Sequence, residues 1–406
     1  MGGVSLSVPE SESKGGPDQR LIVGILTAPE LPEEVVVDIK EDVAELLHTQ
    51  VDQGKDWQVK MKTDPLSGTE GYSKAILDET AKVKEQEGWD LAISVTDLPI
   101  FFQRRLIVAD ADVKRNLAYL SMPALGAAPI KKRVREAVIQ LVEDMHHGEK
   151  SSDREHREGE HTLKAAVVEK NEEELMTRRL AERLSPISRQ TYARENSDVD
   201  VRFLVESRFM GFFRMISGMV LANRPWTIFP AFKKVLAAAF ATGAYGLIFP
   251  NLWGMSGAFT ETRLMIMMVV AISAMVSWII VVHHLWEPTR DHESAYLSRI
   301  YNAATVMTLG IGVMFYYAIL FLLFFFAVLL FVPPDMLKEE LAVTSVSVFD
   351  FLTLTWLVAS VATIVGAIGA GLENENTILK ATYGHRQKLR RKKAKEEREE
   401  EETSWG

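Results

Sequence analysis

Cysteine is missing from all 406 residues. That rules out a disulfide framework and any metal site built on thiolates. The first twenty residues, MGGVSLSVPESESKGGPDQR, hold no basic stretch followed by an apolar one. No signal peptide is therefore expected, and Leu6 stands where a myristoylation signal needs Ser or Thr. Phosphate-binding glycine loops are also absent. The nearest stretch, 66-LSGTEG-71, has neither the Walker lysine nor the dinucleotide fingerprint. Neither a Gly-x-Ser-x-Gly elbow nor a Ser-His-Asp arrangement is evident. The chain is net acidic, with a formal charge of -9, and its basic cluster holds no aromatic residue apart from Tyr383. Both facts argue against a nucleic-acid partner.

Charge is scarce over one long region. Four segments, roughly 230–251, 263–285, 303–332 and 347–372, are long and apolar enough for about 20-residue membrane helices. The expectation is a transmembrane domain over 227–373 with four spans. Lysine and arginine set its orientation. Arg202, Arg208, Arg214, Arg224, Lys233 and Lys234 precede the first span, Arg290 and Arg299 lie in the 286–302 loop, and 380-KATYGHRQKLRRKKAK-395 follows the last span. The other two loops contain only Lys338, with Arg263 at an edge. The positive-inside rule then places both termini in the cytoplasm of a bacterial inner membrane. Trp226, Trp253 and Trp286 are expected at the interfaces.

The span interiors carry Ser273, Ser277, Thr308, Thr355, Ser360 and Thr363 without clear charge. Such hydroxyls are expected to bond within their own helix or to a neighbour. Ala362, Gly366 and Ala370 recur every four positions, a small-residue face for close helix packing. The basic run Arg390, Arg391, Lys392 and Lys393 is expected to face anionic lipid or to serve as a topology determinant. Residues 201–226 read as an amphipathic segment with two open interpretations. One is a helix on the cytoplasmic membrane surface. The other is part of the soluble domain, for instance a strand at 201–205 followed by a helix.

Residues 20–147 alternate between strand and helix patterns. Strand-like runs fall at 21–27, 57–64, 90–97, 105–112 and 117–123, and helical periodicity at 32–50, 69–87 and 131–147. The expected fold class is an α/β N-terminal domain with a mostly parallel sheet, in the order β-α-β-α-β-β-β-α. Residues 1–19 read as a disordered tail, 148–200 as a charged linker with a helix near 171–184, and 374–406 as a charged cytosolic tail. His146, His147, His156 and His161 read as solvated histidines, since they lack metal-ligand spacing.

Two resemblances attach to particular residues. Val95-Thr96-Asp97-Leu98, then Leu120-Ser121-Met122-Pro123-Ala124-Leu125 and a helix with Arg133-Val134 and Glu136-Ala137-Val138, resemble the frame of archaemetzincin-type zinc proteases. The stretch matching that family's H-E-x-x-H is Ile139-Gln140-Leu141-Val142-Glu143, without either zinc-binding histidine or the catalytic glutamate. The resemblance implies shared topology, not proteolysis. The whole chain also resembles a family of uncharacterised bacterial multi-span membrane proteins with a cytosolic α/β domain. The carrying pattern is Ala381-Thr382-Tyr383-Gly384-His385-Arg386-Gln387.

Asp97, Asp110 and Asp112 close apolar runs. They are the candidate catalytic residues, because acids converging at the carboxyl ends of neighbouring strands can hold a divalent cation. The competing interpretation is that they are turn residues. No cofactor is predicted. The expected partners are the lipid bilayer and either a second copy or another protein. The preferred reading is a membrane-anchored interaction or sensing module. The alternatives are a transporter or channel component, and a membrane-tethered hydrolase with a metal-dependent carboxylate site.

Overall fold

The structure, a computed structural model, describes residues 20–64, 73–155, 187–191, 199–226, 232–288 and 292–370. The predicted tails at 1–19 and 374–406, the helix near 171–184 and the basic run at 390–393 lie outside the described residues. The chain divides into two compact units, one of residues 1–125 with 129–211, the other of 126–128 with 212–406.

The first unit is a sheet covered by helices. β1 (Arg20–Thr27) leads to α1 (Leu31–Gln50), β2 (Asp56–Thr63), α2 (Ser73–Glu87) and β3 (Leu91–Thr96). Pro32 opens α1, with Glu33 and Glu34 in its first turn. Proline needs no partner there, and the acids suit the positive end of the helix dipole. Val35, Val36, Ile39, Val43 and Leu47 are buried at helical spacing, so this face packs inward. Gly88 closes α2 with φ 63°, in the left-handed region that favours glycine at a helix end. A side chain at Gly24 would overlap the Trp89 ring, with Cβ only 1.7 Å from Cε3. Glycine there lets the indole lie against β1.

β4 (Ile100–Phe102), β5 (Arg105–Asp112), β6 (Leu117–Ser121), α3 (Met122–Leu125) and α4 (Ile130–Glu155) follow, then β7 (Ile187–Thr191) and β8 (Val201–Val205). The sheet order is β2-β1-β3-β6-β5-β8-β7, with β4 beside β5. β1–β2, β1–β3 and β3–β6 are parallel. β4–β5, β5–β6, β5–β8 and β7–β8 are antiparallel. The expected mostly parallel sheet is therefore corrected to a mixed one. Only residues 113–116 join β5 to β6, and a parallel crossover needs a dozen or more.

Residues 201–226 are a strand over Val201–Val205, with every residue buried, followed by a helix. Part of the expected linker also enters the sheet, as β7, and α4 continues to Glu155.

The second unit comprises most of α5 (Arg208–Asn223), then α6 (Lys233–Gly246), α7 (Pro250–Ala258), α8 (Glu261–Val282), α9 (His292–Phe331), α10 (Pro334–Leu341) and α11 (Val348–Ala370). Three helices are long and apolar enough to cross a membrane, or four if the bent pair α6 and α7 counts as one. The expected first span is broken: α6 and α7 meet at 93°. Proline disfavours helical backbone at the preceding residue, and Phe249 is extended with ψ 111° before Pro250. The 14 residues of α6 reach about 21 Å, less than the roughly 30 Å of bilayer hydrocarbon.

α11 packs against α8, α6 and α9, and α7 packs against α10. The small-residue face of α11 is used inside the chain. A Cβ on Gly366 would lie 2.5 Å from Tyr316 Oη and 3.3 Å from Ala239 Cβ, and one on Gly243 would lie 3.2 Å from Ala362 Cβ. The side chain of Ala370 lies outside the description. Thr355, Ser360 and Thr363 donate to Phe351, Trp356 and Ala359 carbonyls at 2.7, 2.9 and 2.7 Å. These are bonds to the preceding helical turn. Tyr317 Oη also pairs with Ser360 Oγ at 3.0 Å. Trp226 and Trp286 are exposed, whereas Trp253 is buried. Its indole N–H instead donates to the Leu247 carbonyl at 3.1 Å.

Candidate functional site

β2 and β3 flank β1 on opposite sides. Right-handed crossovers then place α1 and α2 on opposite faces and create a switch point at the carboxyl ends of β1 and β3. Asp97 sits there, following Thr96, and is buried. Its surroundings are a set of turn bonds. Leu98 N–H donates to Thr96 Oγ1 at 3.1 Å, and Ser121 Oγ donates to the Leu98 carbonyl at 2.6 Å.

Asp110 and Asp112 do not join Asp97. β5 runs against β6, so Asp112 stands opposite Leu117, which stands opposite Ala92 near the start of β3. At about 3.3 Å per residue, Asp97 and Asp112 lie about 17 Å apart along the strands. The expected convergence at one sheet edge is thus corrected by the reversal of β5. Asp112 holds the β5–β6 turn: it accepts from Arg115 N–H at 3.1 Å and from Arg115 Nε at 2.5 Å. Arg115 Nη1 also donates to Asp78 on α2 at 2.9 Å.

Asp110 lies in mid-sheet, in register with Tyr119 and Arg202, while Tyr119 is in register with Ser94. Side chains paired in this way share a face, so Ser94, Tyr119, Asp110 and Arg202 form a buried polar row. Arg202 grips the carboxylate with two bonds, Nε to Oδ1 at 2.8 Å and Nη2 to Oδ2 at 2.9 Å. Ser73 Oγ, at the start of α2, and Tyr119 Oη donate to Oδ2 at 2.6 and 2.9 Å. Phe102 stacks on the guanidinium, whose carbon is 4.2 Å from the ring centre. Burial pushes the Asp110 carboxyl above its ordinary range, and Arg202, Ser73 and Tyr119 pull it part of the way back. Burial, with the Asp110 charge, holds the Tyr119 phenol well above its ordinary range. Each Asp110 oxygen has a donor, while the buried Ser94 hydroxyl in the same row has no hydrogen-bond partner among the described residues.

Among the described residues, no group of three or more His, Asp or Glu side chains is placed to hold a metal ion. His146 departs from the solvated reading. It is buried, with Nε2 3.1 Å from Asp52 Oδ2 and its ring edge-on to Trp57 at 5.4 Å.

An open groove of about 430 Å³ lies between α1 and α4, lined by Asp38, Ile39, Asp42, Lys131, Lys132 and Arg135. Lys131 Nζ meets Asp38 at 2.6 Å and Arg135 Nη1 meets Asp42 at 2.7 Å. No sequence pattern marks this surface, and by sequence Arg202 reads as one of the membrane-proximal cations. One signal for Arg202 was present: it sits inside a five-residue run otherwise made of Val, Phe and Leu.

Fold and sites together define a protein with a mixed α/β sheet unit and a helical unit with three to four candidate membrane spans. Comparison with protein-family models, curated proteins and solved structures returns no match to this chain.

Proposed function

We propose that this chain is a multi-pass protein of the bacterial inner membrane with both termini in the cytoplasm. Its sheet unit works as an interaction or sensing module, and its helical unit is the anchor. One observation carries the reading. Two of the three acids that suggested chemistry are committed inside the sheet unit, Asp110 to Arg202 and Asp112 to Arg115, whereas the α1–α4 groove displays both charge signs on an open surface. The groove's ion pairs are partly exposed. Such pairs are worth about 0–1 kcal/mol, so exchanging them for a partner's charges costs little.

The test exchanges the groove's charges while keeping its bridges. Lys131→Asp with Asp38→Lys, and Arg135→Asp with Asp42→Arg, preserve both pairs but reverse the pattern offered to a partner. Full-length chain is captured from native membranes in both forms. The reading expects a reproducible stoichiometric partner of the wild type that the exchanged form loses while remaining folded. Identical capture by both forms refutes it. Orientation is checked separately with impermeant thiol reagents on single-cysteine variants. Glu339→Cys should react in intact cells, and Val37→Cys only after permeabilisation.

A further inference from the structure

From Val235 to Thr260 the chain contains no Asp, Glu, Lys or Arg. This stretch covers most of α6, the bend at 247–249 and all of α7. A bilayer interior accepts a broken helix only where the freed backbone groups find partners. The chain supplies such partners around the bend. Leu247 N–H donates to the Gly243 carbonyl at 3.1 Å, Ile248 N–H to Tyr245 at 3.2 Å, Phe249 N–H to Gly246 at 3.1 Å and Leu252 N–H to Phe249 at 3.1 Å. Pro250 has no N–H to satisfy, and the Leu247 carbonyl also accepts from the Trp253 indole. The apolar side chains of the same stretch face outward. Tyr245, Ile248, Phe249 and Met255 are 64%, 68%, 49% and 47% exposed. An uncharged, apolar and open surface of this kind suits acyl chains better than water.

The register between α6 and α11 sets the depth of this surface. Ala239 lies against Gly366 and Gly243 against Ala362, so the two helices run antiparallel. Continued in that register, Leu247 is level with Val358. Asp350 marks the outer boundary: its Oδ2 accepts from Ser347 N–H and Oγ at 2.7 and 2.9 Å. From 358 to 350 is eight residues, about 12 Å at 1.5 Å per residue. A helix is about 10–12 Å across. α7, turned by 93° from α6 and packed on α11, therefore fills this gap and stays beneath the boundary. α10 packs against α7 and carries the exposed charges Asp335, Lys338 and Glu339. A Cβ on Gly254 of α7 would lie 3.4 Å from Glu340 Oε2 of α10. Headgroup level is thus reached within one helix layer of α7. The length of α6, about 21 Å, and the thickness of α7 together make up the roughly 30 Å of hydrocarbon.

We propose that α7 is a horizontal helix embedded in the outer leaflet, and that the open face of the α6–α7 bend is an interaction surface for acyl chains of that leaflet. Tyr245, Ile248, Phe249 and Met255 make the contact. The proposal rests on the membrane-anchor reading and adds what covers the bend.

Because the chain has no cysteine, one introduced thiol gives one spin label. Full-length Ile248→Cys, Met255→Cys, Ile266→Cys and Glu339→Cys are labelled in nanodiscs of phosphatidylcholine. All four positions are exposed, so packing is spared, and Phe249→Cys replaces Met255→Cys if that variant folds poorly. Position 266 on α8 serves as the bilayer reference and position 339 on α10 as the aqueous one. The expected result is that labels at 248 and 255 are open to oxygen and shielded from a nickel chelate, as at 266. Their oxygen-to-nickel access ratio should stand several-fold above the ratio at 339.

Nickel access at 255 equal to that at 339, with position 266 shielded, overturns this proposal alone. Nickel access at 266 as well overturns the membrane-anchor reading. Dipolar coupling between labels at 255 shows a second copy on the surface and overturns the lipid assignment.

Discussion

Replacing Arg202 by Ala tests the central feature of the sheet unit. The Asp110 side chain is 0% exposed and that of Arg202 is 7% exposed. The substitution removes both guanidinium bonds and the stack on Phe102. Ser73 and Tyr119 still donate to Oδ2, but Oδ1 loses Nε. Removing one partner of a buried pair costs about 3–5 kcal/mol, because a desolvated charge is left behind. Asp110 is already biased toward its protonated form by burial, so proton uptake relieves part of that cost and the lower end of the range is expected.

The assay is amide hydrogen exchange on the full chain in detergent, read in peptides covering β5 and β8. About 3 kcal/mol corresponds to a loss of protection of a hundredfold or more, at 1.36 kcal/mol per decade. Arg202→Lys keeps the charge but not the two-pronged grip and should fall between. Asp110→Asn combined with Arg202→Gln removes both charges and keeps an acceptor for the two hydroxyls. It should recover a substantial part of the loss. Protection in β5 and β8 unchanged within threefold after Arg202→Ala would refute the structural role given to this pair.

Three further outcomes follow from particular contacts. Gly366→Ala drives a methyl into Tyr316 Oη; it should lower helical-unit stability by about 1–3 kcal/mol, and Tyr316→Phe should restore much of it, as read by thermal unfolding in detergent. Gly24→Ala collides with the Trp89 ring itself; it should shift Trp89 emission relative to a Trp89→Phe control and speed exchange in β1 and β3. Burial raises the Tyr119 phenol, so the stability linked to it is fully present below the unfolded value near about 10 and declines as pH climbs through the folded one. Tyr119→Phe should therefore leave the 295 nm absorbance titration of the folded chain unchanged below about pH 11; a lost titrating group in that range would contradict the burial.

Periodicity made the strands β1, β2, β3, β5 and β6 and the helices α1, α2 and α4 visible, while the three-residue β4 was not foreseen. The direction of β5 was also within reach: four residues at 113–116 cannot carry a parallel crossover. Grouping Asp97, Asp110 and Asp112 as one edge overlooked that reversal. β8 was one of the two open readings of 201–226, whereas β7 and the place of β8 in the sheet were harder to see. β8 pairs with β5 across about 90 positions and β7 joins the sheet only through β8, and Arg202 resembles any other cation near a membrane until its partner is known. His146 was read as solvated for the same reason, since Asp52 lies 94 positions away. The apolar spans were plain from length, while the break after Gly246 needed the local effect of Pro250 on Phe249.

That break also bears on what the helical unit does. In transporters, interrupted membrane helices offer unpaired backbone carbonyls and helix ends to a substrate or ion. Here the end of α6 is closed. The Trp253 indole donates to the Leu247 carbonyl, and Leu247 N–H returns to Gly243 and Ala244 carbonyls at 3.1 and 3.2 Å. α7 then packs on α10, where a side chain on Gly257 would strike Leu341 at 2.5 Å. The hydroxyls of α11 are similarly taken up by the preceding turn. A break whose polar groups are satisfied within the chain supports an anchor rather than a transport path. Trp253→Phe separates the two roles. It removes the indole donor but keeps the ring, so an anchor should lose about 1 kcal/mol of stability and keep its partner. A transport path should instead show altered flux through reconstituted vesicles, and that outcome would count against the anchor.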